Sequence, residues 1–330
     1  MPRETSSHIA IVGGGLCGLS LAIALKARAV PFRIYETRSS FTELGAGINI
    51  GPNTLRTFQL IDPSLYEALE KIWCRNPPGQ EDVWMQIRLE RHRILTERAG
   101  QENAVFDKKF TNYRSDENGH GVILSFADGT EERASAIVAC DGIHSAVRQA
   151  MLGPKDPATY PQYAGVGVYR GMVATIMDLM DDPPFFATHY HSIHPTSYHD
   201  MRACLIGDAA HAMTPHQGAG AGQAMEDAFV MAEVLECVDR EQPTSQQIAA
   251  AFAAYEAVRR PRAEKVLETS QVAMSFWAGF YERPLNSERL QQFVEDANQR
   301  FHWIWHNDIA RQGVDAVQAM KSSSGSGYRV

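Results

Sequence analysis

Cysteine is scarce in this chain and shows no pairing pattern. Cys17, Cys74, Cys140, Cys204 and Cys237 are five among 330 residues, odd in number, scattered, and never at CxxC spacing. That pattern excludes a disulfide framework or a thiolate metal knuckle and predicts reduced, mostly buried thiols in a cytoplasmic protein. No run approaches the ~20 apolar residues of a membrane helix. The opening MPRETSSHIA lacks the apolar core of a secretory signal. Basic residues number 31 against 39 acidic, the net charge is −8, and no basic run occurs, which argues against nucleic acid as a partner. Nothing in the sequence marks an oligomeric state. With 44% hydrophobic residues the chain can build a large core, as one large or two medium domains.

What is present is glycine, placed with care. The stretch IAIVGGGLCGLSLAIAL spans residues 9–25. Residues 8–12 are short, apolar and partly β-branched, as a buried parallel strand requires. Gly13, Gly15 and Gly18 then give G-x-G-x-x-G, and 16–26 carry Leu, Ala and Ile at helical spacing. A second strand, PFRIYE, ends in Glu36, 18 residues after Gly18. Strand, glycine turn, helix, strand and acid together are the context of a dinucleotide pocket. Gly13 makes the turn, Gly15 lets backbone approach a pyrophosphate, and Gly18 lets helix and strand pack. The helix N-terminus offers free N–H groups to phosphate, and Glu36 can accept from a ribose diol. A glycine turn that binds nothing is the competing reading.

Further along, residues 54–60 read as a helix, 83–89 as a strand and 91–98 as a helix. Residues 105–113 and 122–126 read as strands, the second entering a tight turn at 127–130. The strand 136–140 runs into Asp141-Gly142. Residues 166–169 end a strand at Arg170-Gly171, 181–200 read as loop with four histidines, and 203–206 form a strand before Gly207-Asp208. Helices follow over 221–237, 245–259 and 288–320, and SSSGSGYRV closes the chain as a low-complexity tail.

Three segments stand in a set order: GGGLCG at 13–18, CDGIHSAVR at 140–148 and CLIGDAAHAMTPHQGAGAGQAMEDA at 204–228. With YETRSSFTELGAGI, VYRG, RPRAEKVLETS and FHWIWHNDI, they resemble the FAD-dependent aromatic-ring monooxygenases (the group A flavoprotein hydroxylases), in particular the salicylate hydroxylase-like branch. The resemblance implies an α/β fold: an FAD-binding Rossmann-type parallel sheet with helices, a reduced β-rich substrate region and a helical C-terminal part. It implies a discontinuous FAD-binding domain from 1–80, 91–165 and 203–260, a substrate region from 81–90 and 166–202, C-terminal helices over 261–320 and a tail over 321–330. It implies an oxidoreductase of secondary metabolism in which NAD(P)H reduces FAD, and dioxygen forms a flavin C4a-hydroperoxide that hydroxylates a small phenolic or polyketide-like aromatic substrate. The rival is an FAD-binding protein that steers a rearrangement or cyclisation, or has no catalytic activity.

By the same resemblance, Asp208 holds the ribityl chain of FAD, and Gly218, Gly220, Ala221 and Gly222 open a helix beside the flavin's pyrimidine edge. A helix cap and a plain loop are the alternatives. Asp141 and Arg148 serve the pyrophosphate and the visiting NAD(P)H, with a surface ion pair as the alternative for Arg148. Arg93 matches the arginine on the flavin side of FAD, and Arg38 touches the adenosine end, with a solvated face as its alternative. Arg170 is a candidate for binding a substrate phenolate or carboxylate, with a strand-end ion pair as its alternative. His216, beside Pro215 in the flavin loop, is a candidate proton relay, with capping or packing as its other reading. Residues 171–207 number only 37, room for about three or four strands at about 5–6 residues plus a turn each. The substrate region is therefore short. The histidines there, His189, His191, His194 and His199, have no cysteine or carboxylate set to complete a metal site, and read as a solvated loop.

Overall fold

The computed structural model describes residues 7–41, 50–71, 91–117, 119, 121–169, 185–281 and 287–323. In chain order the elements are β1 (Ile9–Val12), α1 (Leu16–Ala27), β2 (Phe32–Tyr35), α2 (Pro52–Ile61), α3 (Pro63–Glu70), α4 (Arg91–Ala99), β3 (Ala104–Val105), β4 (Phe110–Ser115), β5 (Val122–Phe126), β6 (Glu131–Ala134) and β7 (Ala136–Ala139). There follow α5 (Ala146–Leu152), β8 (Gln162–Tyr169), β9 (Phe185–Tyr190), β10 (Ala203–Leu205), α6 (Asp208–His211), α7 (Gly220–Glu236), α8 (Ser245–Tyr281), α9 (Ser287–Trp305) and α10 (Ile309–Ser323).

Among the described residues, five strands form a parallel sheet in the order β10-β7-β1-β2-β3. Its strands come from both halves of the chain. β1 is central, and its two faces serve two cores. Ile9 and Ile11 pack with α1 and α7, while Ala10 and Val12 pack toward the antiparallel sheet β4-β5-β6. This is the period-2 alternation of a strand buried on both sides. α1 is buried along its whole interior, from Cys17 to Leu25, because α7 covers the side that the sheet does not. From β1 the chain runs to β2 on one side and returns to β7 on the other. The order reverses between β1 and β7, and ligands of open α/β sheets sit beyond the strand ends at such a point.

Several sequence expectations are corrected. Residues 105–113 are not one strand. The chain leaves β3, turns at Asp107 with a φ of 57°, and enters β4 in the other sheet. The turn is held by Asp107 N donating to Arg38 O (3.0 Å) and Lys108 N to Glu36 O (2.9 Å). Within the expected loop 181–200, β9 pairs antiparallel with β8. α8 does not stop at Arg259 but runs through Pro261 to Tyr281. Pro261 removes one backbone hydrogen bond, yet the helix continues, packed against α7 and α10. The expected helix over 288–320 breaks between α9 and α10, where Asp308 Oδ1 accepts from Arg311 N (3.0 Å) and caps α10. The expected strand 83–89 lies outside the described residues, as do Cys74 and residues 324–330 of the tail. Among the described residues, no helix is long and apolar enough to cross a membrane.

Candidate functional site

The glycine turn follows β1 and touches the end of β7. Gly13 has a φ of 101°, and a Cβ there would lie 2.5 Å from the Cys140 carbonyl oxygen. A Cβ on Gly18 would lie 2.0 Å from Gly13 O, so helix and turn meet backbone to backbone. Gly15 differs: among the described residues, no atom lies within 4 Å of a Cβ built on it. It is the N-cap of α1 and no side chain caps that end. Open space before an uncapped helix N-terminus is what a pyrophosphate needs. Glu36 stands beside the turn, accepting from Gly14 N (2.7 Å) and Arg38 N (2.9 Å). Arg38 is exposed on the next bend.

The third motif arrives at the same place. β10 pairs with β7, and Gly207 follows with a φ of 57°. A Cβ on Gly207 would lie 2.9 Å from Cys17 Sγ in α1, so residue 207 rests on the first turn of the helix that begins at Gly15. Asp208 then opens the one-turn helix α6. Its side chain is exposed and, among the described residues, takes no hydrogen bond from protein. The protein surrounding its base raises its pKa. A Cβ on Gly220 would sit 4.0 Å from Asp208 Oδ1, which brings the start of α7 to the same carboxylate. No side chain caps α7 either.

Between α6 and α7, Pro215 starts a short 3-10 turn and Gly218 closes it in the left-handed region, φ 59° and ψ 21°. Ser270 Oγ donates to Thr214 O (2.6 Å) and Thr269 Oγ1 to Gln217 Oε1 (3.2 Å), tying the turn to α8. His216 is half-buried there, and burial lowers its pKa. Ala221 is half-buried. Gly222 faces protein: a Cβ would lie 2.6 Å from Thr54 Oγ1 of α2. Gly222 thus lies in the first turn of α7 and packs closely on α2.

Asp141 caps α5, with Oδ2 accepting from Ala146 N (2.7 Å) and Val147 N (3.2 Å). Among the described residues its Oδ1 is buried without a partner, and burial raises its pKa. Arg148 overturns its expectation. It is fully buried, with Nε donating to Ala158 O (2.7 Å) and Nη1 to Ala209 O (2.9 Å) and Ala210 O (2.8 Å). A guanidinium so enclosed reaches neither a phosphate nor a surface carboxylate. Burial pushes its pKa down to about 10, so it stays charged at neutral pH. Arg93 lies on α4, and Arg170 lies outside the described residues.

The histidines are not a solvated loop. His191 is 2% exposed, its Nδ1 accepts from Ala212 N (3.3 Å), and burial, aided by the charge of Arg148, pushes its pKa down to about 3. His194 Nδ1 lies 2.8 Å from Glu264 Oε1, and His199 Nε2 lies 3.5 Å from Glu256 Oε2. The loop is clasped to α8. Among the described residues, no group of His, Cys, Asp and Glu could hold a metal ion.

The sequence reading missed a buried charge cluster behind the site. Asp227 Oδ2 lies 2.6 Å from His211 Nε2, and Asp227 Oδ1 accepts from Arg259 Nε (2.8 Å). Glu226 takes Arg259 Nη1 (2.8 Å), Arg262 Nε (2.7 Å) and Asn53 Nδ2 (2.7 Å). Burial opposes the charge on both acids, but His211 and Arg259 for Asp227, and Arg259 and Arg262 for Glu226, outweigh it and hold both below the usual carboxylate range. A signal was available. An adjacent Glu-Asp pair inside the apolar run of α7 needs cationic partners, and RRPR at 259–262 supplies them.

An uncapped helix start beside open space, a second uncapped helix start and an exposed carboxylate come together at the sheet's switch point. They fit a dinucleotide cofactor with a polar chain at its middle. The fold is of the FAD-binding Rossmann type, and the candidate site draws on both halves of the chain. The FAD binding domain family matches residues 184–270. The chain is 29% identical to a 6-methylsalicylate 1-monooxygenase of Aspergillus terreus, over 94% of this chain and 91% of that one. It is 27% identical to a salicylate hydroxylase of Pseudomonas putida, over 95% of each. A solved structure of a salicylate hydroxylase substrate complex superposes with a TM-score of 0.77 at 24% identity, over 96% of this chain and 99% of that one. The chain is similar to the FAD-dependent monooxygenases of the salicylate hydroxylase-like kind and carries an FAD binding domain, as a flavoprotein oxidoreductase with FAD as cofactor does. The first alignment runs over 413 positions against 330 residues here, so this chain lacks internal stretches that its relative carries.

Proposed function

We propose that this protein hydroxylates a small phenolic or polyketide-like aromatic molecule in secondary metabolism, with NAD(P)H as reductant and dioxygen as oxidant. The observation that carries the reading is the junction of Gly207 with Cys17 and of Asp208 with Gly220. A nicotinamide dehydrogenase needs the glycine turn but no carboxylate facing it from the chain's second half. The salicylate-type names of the relatives favour an aromatic acid or phenol as substrate.

The pyrophosphate would lie at Gly15 before α1, and the adenosine ribose at Glu36 with Arg38 beside it. The ribityl chain would lie at Asp208, and the ring edge at Gly218, Gly220 and Ala221. There the start of α7 offsets negative charge. Arg93, on α4, would serve the flavin side of FAD by the same resemblance. Bound FAD supplies the electron transfer and oxygen chemistry. The chain's own tasks are to hold that molecule, orient substrate and keep water out. His216 stands neutral on the turn after Pro215, where it can accept a proton from a substrate hydroxyl. Arg170 would meet a phenolate or carboxylate. The substrate region, with β8 and β9 as its described strands, is short for such a task.

The test uses purified protein, its visible flavin spectrum, and NADPH and NADH consumption with peroxide release, with and without a panel of phenols and salicylates. Phenol-stimulated consumption without matching peroxide supports the hydroxylase. Yellow protein that oxidises neither nucleotide points to a non-oxygenating FAD protein, and protein that cannot be reconstituted with FAD ends both readings.

A further inference from the structure

Asp208 stands on a helix too short to hold itself. α6 has four residues, and its backbone bonds are Ala210 N and His211 N donating to Gly207 O (3.0 and 2.9 Å). One turn of helix is not stable alone. It also begins at Gly207, whose φ of 57° is the left-handed region. Something outside must fix this turn if its carboxylate is to meet a cofactor in one place.

The fixing groups lie behind it. Asp227 Oδ2 accepts from Gly207 N at 2.9 Å and sits 2.6 Å from His211 Nε2. One carboxylate oxygen therefore holds the residue before Asp208 and the last residue of its turn. The other oxygen is held by Arg259 Nε at 2.8 Å, and Arg259 is braced by Glu226 and by Gln223 Oε1 (2.9 Å). Arg148 also grips the turn, through the carbonyls of Ala209 and Ala210. The side chains of Asp227, His211 and Arg259 have no exposure at all. The Asp227–His211 pair looks like an acid–base dyad, but so enclosed it cannot touch substrate or cofactor.

We infer that Asp227 is a positioning residue: through Gly207 N and His211 it fixes the turn that aims Asp208 at the cofactor. The inference rests on the reading that Asp208 holds FAD. It makes a claim that a merely structural role does not. Asp227 should matter to FAD only while Asp208 is present to be aimed.

A double-mutant cycle on FAD affinity tests this. The dissociation constant for FAD is measured by flavin fluorescence quenching on reconstituting apoprotein of the wild type, Asp208→Ala, Asp227→Asn and the double variant. Each single variant is expected to weaken FAD about tenfold or more, with the double variant no weaker than Asp208→Ala. Multiplying effects, or an unchanged constant in Asp227→Asn beside a weakened Asp208→Ala, would overturn the inference and leave the role of Asp208 standing. An unchanged constant in Asp208→Ala would remove the role of Asp208 and the inference with it. His211→Gln leaves the Asp227–Arg259 pair intact and serves in the same cycle if Asp227→Asn does not fold. There a loss of about threefold, absent in the Asp208→Ala background, is expected, and a loss that persists in that background overturns the inference.

Discussion

Arg259 and Arg260 are neighbours on α8 and hold two different parts of the molecule. Arg259 turns inward to Glu226 and Asp227, where no partner is exposed. Arg260 turns outward to Glu256 and Glu264 at 2.7 Å each, and donates to Pro195 O and Thr196 O of the histidine-rich loop. Water still reaches part of that clasp. The nucleotide half is thus fixed by charges that have only one another, and the loop by charges that solvent can replace. The same chemistry is obligatory in one place and replaceable in the other, because a charge without water needs a full set of partners.

Arg259→Met should break the inner set most severely. Two buried carboxylates would face Arg262 and His211 alone, a loss of about 3–5 kcal/mol. Urea denaturation of the holoprotein reads it, and a loss as small as that of an outer residue would erase the contrast.

His191→Asn tests whether the loop's inner end belongs to the buried class. The wild-type imidazole stays neutral until about pH 3, while the unfolded chain takes up its proton near pH 6.5. Protonation favours the unfolded state, so stability is full above about 6.5 and falls on acidification. Between pH 6.5 and 4.5 the wild type should lose about 2–3 kcal/mol relative to the variant. Parallel curves would show that His191 carries no buried-histidine penalty.

Arg260→Met should cost about 1 kcal/mol or less, and less still in high salt. A cost equal to that of Arg259→Met would mean that the loop clasp is as dry as the inner set. Least of all, Glu131→Gln, which breaks the exposed bidentate pair with Arg114, should leave the denaturation midpoint unchanged.

The sequence revealed the site better than its supports. β1, α1 and the turn between them were legible because a glycine spacing, an apolar strand and an apolar helix all agree. Asp208 was legible because a carboxylate directly after a buried strand has few places to go. Arg148 was misread, since an arginine near the start of a helix looks like a phosphate ligand unless its burial is known. β9 was hidden because Phe185–Tyr190 lies among prolines and histidines that read as loop. Glu226, Asp227 and Arg259 were in plain view, yet helical spacing alone cannot say which of two adjacent arginines faces inward when the helix is packed on two sides.

By itself the sequence determined the parallel sheet, the glycine turn and the acids set at strand ends, because those depend on local backbone geometry and on the alternation of apolar residues. Only the tertiary structure decided that residue 207 rests on residue 17, that Arg148 faces away from solvent, and that four buried charges stand behind one carboxylate. Those facts depend on which elements pack together, and no local pattern carries the distance between residues that lie 190 positions apart.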